Sequence, residues 1–201
     1  GTLLILDEVA TGFGRSGHLF ASDREGVAPD LLCLAKGLTG GYLPMAATLT
    51  SQRIFQAFLG EPSEGRTFFH GHTYTGNQLA ASAALATLDI FEREPILARL
   101  QGTIARLSET LEALRELPAV GDIRQYGLAA GVELVADRES CEPYPAAERT
   151  GMRVCRAARR YGVFLRPLGD VLVLMPPLTI TDPELDLLGK ALHGAIREVC
   201  G

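Results

Sequence analysis

The chain has 201 residues, 47% of them hydrophobic, and a formal net charge of −5 with no run of Lys or Arg. It is long and apolar enough to bury one or two real cores. Its acidic balance gives no electrostatic footprint for nucleic acid or for an anionic membrane surface. Four scattered cysteines, Cys33, Cys141, Cys155 and Cys200, form no C-x-x-C, so neither a disulfide framework nor a zinc site is signalled, and a reducing, cytoplasmic setting fits. The longest apolar stretch, 79–91, is interrupted by Ser82, Thr87 and Asp89 and falls short of a membrane span.

Residues 2–6 form a continuous β-rich apolar run that reads as a central strand of a parallel sheet, which needs neighbours on both sides. The chain is therefore expected to be the C-terminal part of a longer protein, and to be inactive alone. A second such run, 31–35, follows a long polar, Gly-rich connection. The first run ends at Asp7-Glu8 and the second at Lys36. After Gly40-Gly41 a strand is predicted over 46–50 and a helix over 52–59. Asn77 can cap an Ala-rich helix over 78–92 that must stop before Pro95.

Leu97, Leu100, Ile104, Leu107, Leu111 and Leu114 recur at three- and four-residue steps, the spacing of an amphipathic helix, which Pro118 closes. Beyond it the pattern turns to short strands, 122–126, 129–135, 163–166 and 171–175, with helices over 146–161 and 183–199. The predicted architecture is α/β, with a boundary near Glu94-Pro95 that separates 1–94 from a small α+β unit, 95–201.

Gly12-Phe13-Gly14-Arg15-Ser16-Gly17 spells the G-x-G-x-x-G of a dinucleotide-binding turn. That fingerprint requires a helix to open at the last glycines and an acid to end the next strand. The segment HLFASDREGVAPD has no sustained helical period, and the next strand ends in Lys36. A loop between strands is the better reading. The charged strand ends carry more, because ligands of open α/β sheets sit at the carboxyl ends of strands. An ordinary Asp7–Lys36 ion pair is the plainer account of those two residues.

The ordered set Asp7-Glu8-Val9, Thr11 to Gly17, Pro29-Asp30, Lys36-Gly37-Leu38 and Gly40-Gly41 resembles the central signature of class III pyridoxal-phosphate aminotransferases. HGHTYTGNQLA, VGDIRQYG and LRPLGDVLVLMPPL resemble the biotin-pathway branch of that family. The resemblance implies a type I aminotransferase fold, with the C-terminal part of a large cofactor domain followed by a small domain, and pyridoxal 5′-phosphate as cofactor. It implies Lys36 as the amine that attacks the cofactor aldehyde and later shuttles protons, and Asp7 as the carboxylate that keeps the pyridine nitrogen protonated.

The same resemblance gives Gly71, His72 and Thr73 to the cofactor phosphate of a partner subunit, and hence implies a homodimer with shared sites; Gly71 is also placed near the substrate. His72 stands where other members carry Pro. Arg166 is assigned to the carboxylate of a keto-acid substrate, which a guanidinium fork suits, and Arg15 to the substrate site's periphery. The implied reaction converts 8-amino-7-oxononanoate to 7,8-diaminononanoate, with S-adenosylmethionine or lysine as amino donor. Another ω-amine transaminase, of ornithine or 4-aminobutyrate type, a non-catalytic fragment and a nucleotide-binding module are the alternatives. His70 and His72 lack a third nearby metal ligand, and no metal is expected.

Overall fold

The computed structural model describes residues 1–201, which divide into two compact units, Gly1–Leu97 and Ala98–Gly201. In the first, β1 (Ile5–Asp7) pairs in parallel with β2 (Leu31–Leu34), which pairs antiparallel with β3 (Ala47–Thr50). The parallel register sets Asp7 opposite Cys33. The short helix α1 (Ala21–Glu25) lies in the β1–β2 connection, and α2 (Gln52–Gln56) follows β3. α3 (Gln78–Arg93) completes the unit, its N-terminus capped by the Asn77 side chain, which accepts the Ala80 N–H at 3.0 Å.

One expectation is corrected in this unit, and the first strand is shorter than its apolar run. The first strand covers only three residues and stands at an edge of the order β1-β2-β3, with Leu3, Leu4 and Ile5 exposed. Within this chain it has one neighbour, β2. The helix predicted over 52–59 ends at Gln56 and continues as isolated turns through Leu59, because no apolar face of it is buried.

The core of this unit is a cluster of Phe13, Leu34, Leu38 and Ala84, with Leu19, Phe20, Met45 and Phe91 packed around it. Phe13 meets Phe20 edge-on at 5.6 Å and Phe91 at 6.4 Å. Such aromatic pairs add about 0.5–1.5 kcal/mol beyond the area they bury.

The second unit holds nearly all of α4 (Ile96–Glu112), then a four-stranded antiparallel sheet in the order β4-β5-β7-β6, with α5 (Thr150–Ala158) and α6 (Asp182–Cys200). The strands are β4 (Val120–Tyr126), β5 (Ala129–Leu134), β6 (Arg166–Leu168) and β7 (Val171–Leu174). Alternate residues of β5 and β7 are buried, the half-covered pattern of an antiparallel sheet. The heptad-like leucines do what their spacing predicts: Leu100, Leu107, Leu111 and Leu114 are almost wholly enclosed. α6 opens on a capping box in which the Thr181 N–H and hydroxyl donate to Glu184 at 2.7 and 2.8 Å.

The strand predicted over 163–166 forms instead at Arg166–Leu168, because cross-strand pairing begins only where Arg166 meets Val173. Pro167 is tolerated there since β6 is an edge strand with one face of its backbone unpaired. The helix predicted over 146–161 is broken by Arg149, which takes a left-handed φ of 51°, so only Thr150–Ala158 is α-helical. No helix of the chain is long and apolar enough to cross a membrane.

Candidate active site

Asp7 and Lys36 come from neighbouring parallel strands and lie at the same, carboxyl end of them. Asp7 is the last residue of β1, and its register partner Cys33 precedes Lys36 by three residues. Both side chains are exposed in this chain. They do not neutralise each other. One Asp7 oxygen accepts the N–H of Val9 at 3.0 Å, an interaction within its own turn, and no ion pair joins it to Lys36. The plain ion-pair account of the two residues is thereby removed.

Lys36 opens the turn that follows β2, and its backbone has a φ of 43°. A non-glycine residue held left-handed costs about 1–3 kcal/mol and persists only where its surroundings over-determine it. Here they do. The Leu38 N–H donates to the Ala35 carbonyl at 3.0 Å, and the N–H groups of Gly40 and Gly41 close on Gly37 and Lys36 at 3.0 and 3.3 Å. The Thr39 hydroxyl, buried, donates to the Leu43 carbonyl at 2.6 Å. Leu38, beside it, is anchored in the core cluster.

The Gly-rich connection is a coiled loop organised around a buried carboxylate, with no helix at its glycines. Glu8, only 3% exposed, accepts the Ser22 N–H at 2.7 Å and the Ala21 N–H at 3.1 Å, and takes a hydroxyl bond from Thr11. Burial alone raises this carboxyl's pKa, but the donors from Thr11, Ser22 and Ala21 outweigh it and hold the group below the ordinary carboxylate value. The N–H groups that a pyrophosphate would require are thus not arranged at a helix start: α1 begins only at Ala21 and is five residues long. Arg15, in the same loop, is half-buried, and burial lowers its guanidinium's pKa from the usual arginine value.

Gly71, His72 and Thr73 lie on an exposed segment before α3. The His72 N–H donates to the Thr75 hydroxyl at 2.8 Å, and His72 Nδ1 accepts the Tyr74 N–H at 3.1 Å. His70 stacks on Phe68 at 5.4 Å. Thr73 does not cap the helix, a role taken by Asn77. Arg166 belongs to the second unit, exposed at the start of β6. Glu133 of β5 receives the Arg124 guanidinium of β4 at 2.7 Å, a cross-strand ion pair.

Sequence reading passed over two residues, Glu8 and Phe13. The signal for Glu8 was its place directly after a strand-end acid with Thr11 three residues on. The signal for Phe13 was a large aromatic inside a glycine run.

The model for aminotransferase class III matches residues 1–196. The chain belongs to the class III aminotransferases. Among curated class III relatives, the adenosylmethionine-8-amino-7-oxononanoate aminotransferase of Nitratidesulfovibrio vulgaris is 58% identical over 99% of this chain and 37% of its own length. That of Aquifex aeolicus is 57% identical over 98% and 44%. The crystal structure of the Methanocaldococcus jannaschii protein of the same name superposes with a TM-score of 0.95 at 51% identity, covering 98% of this chain and 46% of that one. A thermostable (S)-enantioselective omega-transaminase from Thermomicrobium roseum superposes at 0.92 with 40% identity, over 100% and 44%. The chain therefore spans less than half the length of these class III relatives, and its α/β architecture is that of the family.

Proposed function

We propose that the protein to which this chain belongs is a pyridoxal-phosphate-dependent aminotransferase that converts 8-amino-7-oxononanoate to 7,8-diaminononanoate in biotin biosynthesis. The observation that carries the reading is the placement of Asp7 and Lys36 at the carboxyl ends of paired parallel strands, un-neutralised and with Lys36 held left-handed. The identities of 57–58% to relatives named for that substrate favour it over an amine transaminase, represented by a neighbour at 40%.

The donor set suits the cofactor. A carboxylate matches a protonated ring nitrogen, a primary amine matches an aldehyde, and a hydroxyl beside backbone N–H groups matches a phosphate. When bound, the group acts as an electron sink for the substrate's carbon–nitrogen bond. Asp7 would hold a proton on the ring nitrogen, its carboxylate oriented by the bond it accepts from the Val9 N–H. Lys36 Nζ would be the amine that holds the aldehyde carbon and, once the substrate's amine has displaced it, the base that moves a proton at the substrate carbon. Arg166 orients the substrate carboxylate by a two-pronged contact, with Arg15 and Gly71 at the substrate's edge.

Gly71, His72 and Thr73 serve the phosphate of a partner's site in a homodimer. The exposure of Phe68, Phe69 and Tyr74 around them, 63%, 94% and 74%, supports an interface there. The two units act as the remainder of the large cofactor domain and the small C-terminal domain. Four free cysteines fit a cytoplasmic enzyme. The amino donor is S-adenosylmethionine, as in the names of the relatives, with lysine the other candidate.

The test uses the full-length protein loaded with cofactor. Borohydride reduction followed by peptide mass mapping fixes the cofactor to Lys36 in the unaltered protein and to nothing in Lys36→Ala. A cofactor adduct that survives in Lys36→Ala overturns the assignment. Amino transfer to 8-amino-7-oxononanoate, assayed with each donor in turn, decides the substrate pair.

A further inference from the structure

The glycine-rich loop and the lysine turn are joined at one point. Phe13 is 3% exposed, and it carries a left-handed φ of 59°, while Lys36 has one of 43°. Gly37 directly follows Lys36. An ideal methyl placed on Gly37 would sit 2.7 Å from the Phe13 Cβ and 3.1 Å from two atoms of its ring, so the aromatic side chain rests directly on the backbone that follows the lysine. We infer that Phe13 is a positioning residue for Lys36: it is the wedge that seats the Lys36–Thr39 turn and aims the amine.

Three observations converge on this. First, Phe13 and Lys36 are both non-glycine residues in a disfavoured conformation, Phe13 packs against the residue directly after Lys36, and such conformations survive only where packing imposes them. Second, Phe13 is held in the core cluster, against Phe20 at 5.6 Å and Phe91 at 6.4 Å, together with Leu34 just before the turn and Leu38 within it. Third, the Phe13 backbone is itself pinned, its N–H donating to the Leu19 carbonyl at 2.6 Å, within a loop tethered by Glu8. The loop connecting the two strands thereby reaches across to set the geometry of the second strand's end.

The inference rests on the reading of Lys36 as the cofactor-bonding amine, and the experiment separates the two. The full-length, cofactor-loaded protein is compared with Phe13→Leu, Phe13→Gly, Gly37→Ala and the double variant Phe13→Gly/Gly37→Ala. Readouts are the rate of borohydride trapping at Lys36 by mass mapping, the pH midpoint of the bound cofactor's visible absorbance, kcat and KM for the amino donor, and thermal unfolding.

Phe13→Leu, which keeps most of the volume, is expected to shift the absorbance midpoint and to lower kcat by about 10- to 100-fold with donor KM nearly unchanged, the signature of a reacting group misplaced by a fraction of its reach. Gly37→Ala is expected to do the same from the other side of the contact. In the Phe13→Gly background the space is open, so Gly37→Ala should cost much less than it does alone. Strictly additive losses, or a lowered unfolding temperature with an unmoved absorbance midpoint and trapping rate, would overturn the proposal and leave Phe13 as a core residue. An adduct at a residue other than Lys36 in the unaltered protein would instead overturn the reading on which it rests.

Discussion

The carboxylate of Glu8 accepts the backbone N–H of Ser22 at 2.7 Å across fourteen residues of glycine-rich chain. This bond, with those from Ala21 and Thr11, turns an irregular connection into a fixed loop. Glu8→Ala leaves two amide donors without their acceptor in a buried site, at about 1–3 kcal/mol each. Urea unfolding should record a loss of about 2–4 kcal/mol, with Glu8→Gln recovering part of it.

The same group makes stability depend on pH. Its folded pKa lies below the ordinary value of 4.5, so its contribution is fully present above that value and is lost as pH falls through the lower, folded one. Unfolding midpoints measured from pH 6 downward should fall more steeply below about pH 4.5 in the unaltered protein than in Glu8→Gln. Parallel curves would show that other carboxylates dominate.

Asp7→Asn preserves an oxygen that can accept the Val9 N–H, so the fold should hold. Turnover should drop by about two or more orders of magnitude, because a neutral amide does not keep a proton on a ring nitrogen. Circular dichroism beside a single-turnover assay checks both halves of this statement.

Arg166→Ala should raise the KM for the keto-acid by about tenfold or more while changing the donor's far less, and Arg166→Lys should recover only part, since an ammonium does not reproduce the guanidinium fork. The exposed position of Arg166 at an edge strand predicts little change in thermal stability. Equal effects on both substrates would remove its assignment.

The cysteines should separate by reactivity. Cys141 is exposed, whereas burial pushes the Cys155 thiol up to about 11. Since the thiolate is the nucleophile, a disulfide reagent at pH 8 should label Cys141 quickly and Cys155 only on unfolding. Mass mapping of the labelled native protein reads this directly.

How much of this was open to inspection in the amino-acid order depends on how local the cause was. The amphipathic helix through Leu100, Leu107 and Leu111, the Asn77 cap and the alternation of β5 are set by periodicity and by hydrogen bonds within a few residues, and they form where the pattern puts them. Asp7 and Lys36 were legible as charged ends of apolar runs, and the ordered motifs around them carried the family.

What needed the tertiary structure was everything decided by chain segments distant in sequence. Arg166 begins its strand because pairing with Val173 starts there, and the first strand is an edge because β2 is its one neighbour in this chain. Glu8 acquires its role only when Ala21 and Ser22, thirteen and fourteen residues on, are folded onto it. The glycine run that spells a nucleotide fingerprint serves instead to bring Phe13 against Gly37. Residue type and spacing record which chemistry a chain can offer, but only packing between remote segments decides which backbone is held in a costly conformation, and Lys36 is where this chain holds one.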